Sequence, residues 1–233
     1  MKKEALVLLP GTLCDERLWE HQLEHLTDVS DPFVCMLTEE DTIEGMAEFV
    51  LKHAPERFAL AGLSLGGIVA MEVIRQAPER VTRLALLDSN PHGPKPEQLK
   101  SWKDLISKVE TGQFQRIVEE KLLPNLIHPS RQEDDQLVSI IKDMAERIGP
   151  EGYVQQLKAV STRSDLREVL REINIPTLLL VGRDDQVCPL SLHEEMQESI
   201  SESRLVVVNH CGHLSSLEQP EEVTAALRNW LME

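Results

Sequence analysis

Apolar and polar positions alternate along this chain in two rhythms. Short apolar runs at residues 5–9, 32–36, 58–63 and 84–87 have the length of buried strands. Between them, apolar residues recur every three or four positions, as on one face of a helix. These stretches are residues 16–26, with Trp19, Leu23 and Leu26 in line, then 43–53 and 67–77. Strand and helix in alternation predict a mostly parallel, doubly wound sheet with helices on both faces, an α/β fold.

The alternation breaks at Pro91. Pro91, Pro94 and Pro96 open a section without strand patterns, and helical spacing follows at residues 99–109, 114–123, 137–148 and 153–160. Strand patterns resume at 176–181 and 204–208. A closing helix at 220–231 begins with Pro220 and places Glu221 and Glu222 in its first turn, as the helix dipole favours. The expected organisation is one α/β core from residues 1–89 and 173–233, with a helical lid inserted at 90–172.

The sharpest chemical signal is Gly62-Leu63-Ser64-Leu65-Gly66-Gly67, between a strand and a helix. A G-x-S-x-G turn there lifts the serine oxygen clear of the sheet, and side chains at Gly62 or Gly66 would collide with neighbouring backbone. A serine hydroxyl attacks a carbonyl only when a base takes its proton and an acid orients that base. In this kind of sheet the order is serine, acid, histidine. Gly182-Arg183-Asp184-Asp185 follows the fifth strand and Gly212-His213 follows the sixth. Asp185 is the expected acid, with Asp88 and Asp184 as alternatives. His213 is the expected base, with His210 as the alternative. The developing oxyanion needs two backbone N–H donors. Leu65 should supply one, and Thr12, with Leu13 as runner-up, the other.

A formal charge of -16 argues against nucleic acid and anionic membranes as partners. No apolar run reaches membrane-spanning length, and the opening apolar stretch reads as a strand, not a signal peptide. Cys14, Cys35, Cys188 and Cys211 form no C-x-x-C pair, so reduced thiols in a cytoplasmic protein are expected. His21-Gln22-Leu23-Glu24-His25 matches a short zinc pattern without an evident distal ligand, and a polar helix face explains it. No cofactor or metal is expected.

The chain resembles the α/β-hydrolase superfamily in Leu8-Leu9-Pro10-Gly11-Thr12 with Trp19, Gly62 to Gly67, Gly182-Arg183-Asp184-Asp185 with Pro189, and Gly212-His213-Leu214 with Glu218 and Pro220. Within it, the chain is similar to small bacterial carboxylesterases, including the pimeloyl-carrier-protein methyl esterase group, and to enol-lactone hydrolases. The resemblance implies an α/β-hydrolase fold and supports Asp185, the fourth residue of a Gly-x-x-Asp segment. It departs at Pro10, where relatives often carry histidine, and in lacking an extra hairpin before the first strand, which predicts a shorter sheet. The expected activity is hydrolysis of a small carboxylic ester. A lactone or acyl thioester is the alternative substrate, and a non-catalytic binding protein the alternative class. A carrier protein as partner is disfavoured by the charge unless Lys100, Lys103 and Lys108 form a basic patch.

Overall fold

A computed structural model describes residues 3–233. Six strands, β1 (Glu4–Leu9), β2 (Ser30–Val34), β3 (Phe58–Leu63), β4 (Val81–Leu87), β5 (Thr177–Gly182) and β6 (Ser203–Val208), form one sheet. Its order is β2-β1-β3-β4-β5-β6, with every neighbouring pair parallel. The α-helices in chain order are α1 (Glu20–His25), α2 (Ile43–His53), α3 (Leu65–Gln76), α4 (Pro96–Glu110), α5 (Phe114–Ile117), α6 (Leu123–Leu126), α7 (Asp135–Thr162), α8 (Arg167–Leu170), α9 (Leu190–Ser199), α10 (Ser215–Glu218) and α11 (Pro220–Met232).

Strand β3 is buried along its whole length, as expected of a central parallel strand covered on both faces. Alternate residues divide between two cores. Val7, Leu9, Leu60, Leu84, Leu86 and Leu179 pack toward α2, α3 and Met196 of α9. Leu6, Leu8, Ala61, Ala85, Leu87 and Leu180 pack toward Trp19 and, from α11, Val223, Leu227 and Trp230.

Strand β2 ends at Val34, two residues earlier than its apolar run suggests. It lies at the sheet edge, where Pro32, which has no N–H to donate, is tolerated. Residues 16–26 form a 3-10 turn (Glu16–Trp19) before α1, not one continuous helix. Helix α9 has no counterpart in the apolar pattern. Its buried face is carried by His193 and Met196, so a histidine interrupts the stripe.

Between β4 and β5 the chain forms helices α4 to α8 and no strand. Helix α7 bends at Gly149, whose φ of 72° is left-handed, and Pro150 follows. Residues 118–122 wind as a π-helical turn. Leu13, Val109, Ile117, Val118, Ala145, Tyr153 and Leu157 make a third apolar cluster. Leu13 brings the loop after β1 into it, so these helices rest on the carboxyl edge of the sheet.

Candidate active site

Ser64 sits between β3 and α3 with φ 56° and ψ −114°, a conformation a non-glycine residue adopts only when its surroundings impose it. Those surroundings are visible. The Ser64 amide donates to Leu87 O at 2.9 Å, and its carbonyl accepts from Gly67 N, Ile68 N and Ser89 Oγ at 3.0, 3.1 and 2.9 Å. A Cβ at Gly62 would overlap the Gly66 carbonyl, and one at Gly66 would overlap the carbonyl of Leu9. The turn is therefore squeezed between strand and helix backbones that only glycine admits.

Three distant stretches meet here. His213 Nε2 lies 2.8 Å from Ser64 Oγ, and His213 Nδ1 lies 2.8 Å from Asp185 Oδ2. The other Asp185 oxygen accepts from the amides of Val187 and Cys188 at 2.7 and 2.9 Å. Burial pushes the Asp185 carboxyl up, but His213 and those two amides outweigh it, leaving the group below the usual carboxylate range. Burial pushes His213 down, yet the charge and hydrogen bond of Asp185, with Asp88 and Glu218 beyond, leave it above the ordinary histidine value.

The alternatives lie elsewhere. Asp88 is fully buried, accepts from Gly182 N at 2.8 Å and meets Ser215 Oγ, with no hydrogen bond to His213. Burial, then the charge of Asp185, pushes its carboxyl well above the usual carboxylate range. Asp184 lies 3.6 Å from His128, and His210 is exposed with its ring against that of His128. His21 and His25 stack at 4.0 Å on α1, and His21 Nδ1 meets Thr224 Oγ1. Cys188 lies beside Asp185 and His213; burial and nearby carboxylates push its thiol far up, keeping it protonated. All four cysteines are free and buried.

The loop after β1 closes the site from the other side. The Leu13 amide donates to Gln156 Oε1 at 2.9 Å, so the runner-up oxyanion donor is already engaged. The Thr12 and Leu65 amides find no protein acceptor among the described residues, and both residues line the cavity that holds Ser64. That cavity has a volume of about 340 Å³, and its roof includes Trp102, Leu105, Leu122, Tyr153 and Leu157.

Two supporting residues carry no local signal in the sequence. Gln156 braces the loop after β1 through Leu13 and donates to Leu37 O at 3.2 Å. Arg163 faces the cavity just past the end of α7. Glu218, one of the motif residues, accepts from Gly212 N at 2.8 Å and His128 N at 2.7 Å. It thereby ties the His213 loop to the inserted helices, as does Leu126 O, which accepts from the His213 amide at 3.0 Å.

Residues 36–220 match the family model Hydrolase_4, described as serine aminopeptidase, S33. A pimeloyl-[acyl-carrier protein] methyl ester esterase from Nitrosomonas europaea is 28% identical over 236 residues, covering 93% of this chain and 91% of the relative. A malate-bound thermophilic esterase from Thermogutta terrifontis superimposes with a TM-score of 0.90 at 28% identity, covering 99% of this chain and 90% of its own. The enol-lactonase of Burkholderia xenovorans LB400, at 21% identity and a TM-score of 0.88 over 100% of this chain and 93% of its own, shares the fold. The chain belongs to the Hydrolase_4 family of α/β hydrolases.

Proposed function

We propose that this protein is a serine esterase that cleaves a small carboxylic ester through an acyl-serine intermediate. The observation that carries the reading is the unbroken line from Ser64 Oγ, at the cavity wall, through the His213 ring to the buried Asp185. Ser64 attacks the ester carbonyl while His213 takes its proton. Asp185 holds the ring in the productive tautomer and stabilises the imidazolium. The amides of Thr12 and Leu65 bind the oxyanion. His213 then protonates the leaving alcohol and afterwards activates the water that releases the acid. No step calls for a cofactor or metal.

Residues 90–172 act as the lid, supplying the apolar roof that excludes water and measures the acyl chain. The substrate is a free small molecule. The Nitrosomonas relative is named for a carrier-bound methyl ester, but in this chain a net charge of -16 opposes docking of an acidic carrier. Lys100, Lys103 and Lys108 lie on α4, which also carries Glu97, Asp104 and Glu110, so their charge is offset within the same helix. No helix among the described residues is long and apolar enough to cross a membrane. With four free thiols, the proposed location is the cytoplasm.

A panel of p-nitrophenyl esters, lactones and acyl thioesters of graded length tests the reading. Ester turnover that falls by several orders of magnitude in Ser64→Ala, toward a ceiling of about 10⁶-fold, supports it. Ester turnover unchanged in Ser64→Ala contradicts it.

A further inference from the structure

The cavity walls run against the charge of the chain. The sequence holds 40 acidic and 24 basic residues, yet no aspartate or glutamate lines the cavity, and its two charged lining residues are Arg163 and Lys121. Lys121 is exposed, whereas Arg163 is only 7% exposed.

A buried guanidinium normally sits against a carboxylate, because an unpaired buried charge is costly. Arg163 has none within 4.0 Å among the described residues. Acids close to it in the chain or through its contacts have other partners: Asp165, two residues on, pairs with Arg167 at 2.5 Å, and Glu195 pairs with His92 at 2.7 Å. Arg163 instead has neutral neighbours. Its Nε donates to His92 O at 2.9 Å, one terminal nitrogen reaches Gln98 Oε1 at 3.4 Å, and the group lies 5.2 Å from the Trp102 ring centroid. Those contacts fix the side chain and leave its other terminal nitrogen without a protein acceptor among the described residues. Burial lowers its pKa from the ordinary arginine value, a direction expected where no acid offsets the loss of water. A positioned cation of this kind, sharing a cavity with a nucleophile, is built to receive an anion that arrives with the substrate.

We infer that Arg163 is a specificity residue that binds a carboxylate on the substrate, so that the preferred substrates are esters carrying a free carboxylate, such as half-esters of short dicarboxylic acids. The inference rests on the esterase reading for its reaction but not for its binding step. A planar carboxylate matches the two-pronged donor geometry of the guanidinium.

The test has a kinetic arm and a binding arm. In the kinetic arm, the mono-p-nitrophenyl ester of glutaric acid is compared with p-nitrophenyl pentanoate, which has the same acyl chain length without the charge. The wild type should favour the charged ester in kcat/KM by roughly 10–100-fold, the range of a charge-assisted hydrogen bond. Arg163→Gln should lose that preference mainly through the KM of the charged ester. Arg163→Lys should retain part of it. A second pair with the carboxylate on the alcohol side shows which end Arg163 reads, and preference for either charged ester supports the inference.

In the binding arm, glutarate is titrated calorimetrically into wild type and Arg163→Gln, which requires no turnover. Binding to wild type that is lost in the variant supports the inference even if no ester is cleaved. Equal use of both charged and neutral esters by the wild type, together with no glutarate binding, overturns it while leaving the esterase reading intact. A variant that slows both esters alike, with its melting temperature lowered, assigns Arg163 a structural role and also overturns it. Should Arg163→Gln fail to fold, glutarate inhibition of neutral-ester hydrolysis by the wild type, against glutaramide as the uncharged control, decides the question.

Discussion

Asp185 and Asp88 show how one residue type is pushed in opposite directions by its partners. Both are buried, but Asp185 gains a histidine and two amides while Asp88 gains one amide, a hydroxyl and the repulsion of Asp185. The Asp185 carboxyl is therefore held below the usual carboxylate range and that of Asp88 well above it. Asp185→Asn should cut kcat by about 10⁴-fold, the loss expected when the ring takes the wrong tautomer. Asp88→Asn puts an amide of the same shape at a position with no hydrogen bond to His213 and should stay within about 10-fold of wild type. Steady-state kinetics on one ester, with a melting curve for each variant, checks the pair. The pH profile follows from His213. Its pKa is raised in the folded protein and the neutral ring is the active form, so kcat/KM falls as pH drops through that raised value. The acid limb should lie above the ordinary histidine range. A midpoint at or below that range would contradict the Asp185–His213 coupling.

At the scale of elements, the carboxyl edge of the sheet collects the strained residues. Leu13, Ser64, Asp88 and His210, the non-glycine residues with positive φ among those described, follow β1, β3, β4 and β6 respectively. Tight turns there bring loops from far apart in sequence onto one site. Glycine makes the approach possible at β3. Gly66→Ala would drive a methyl into the Leu9 carbonyl, a backbone atom of β1 that cannot swing aside. The substitution should destabilise by about 1–3 kcal/mol or more, seen as a lower Tm, and should reduce activity by shifting Ser64. The parallel core is legible in the sequence because β3, β5 and the last four residues of β4 are apolar runs and G-x-S-x-G punctuates one of them, while Thr82 and Arg83 hide the start of β4. Helix α9 is not, since buried His193 stands where an apolar residue would announce the face. The role of Gln156 is also hidden, because its contact with Leu13 spans 143 positions and no local spacing encodes it.

For the whole molecule, the sheet supplies reactive groups and the inserted helices supply the space around them. The cavity combines Gly11, Ser64 and His213 from the sheet edge with Leu105, Tyr153 and Leu157 from α4 and α7. Its volume of about 340 Å³ lies at the small end for ligand pockets, roughly 300–1,000 Å³. Leu105→Trp, at a half-buried roof position, should shift the preferred acyl length downward on a graded ester series while leaving acetate esters within about 3-fold. An unchanged length preference would remove the roof from the account of specificity. The overall charge of -16 describes the outer surface and gives no hint of a cavity lined by an arginine and a lysine, because burial sorts charges by place and composition does not. In the proposed reaction Ser64 becomes the covalent carrier of the acyl group. Intact and peptide mass spectrometry after fluorophosphonate treatment reads that role. One adduct is expected, on the peptide bearing Ser64, lost in Ser64→Ala and strongly slowed in His213→Ala; an unlabelled Ser64, or equal labelling of wild type and Ser64→Ala, would contradict it.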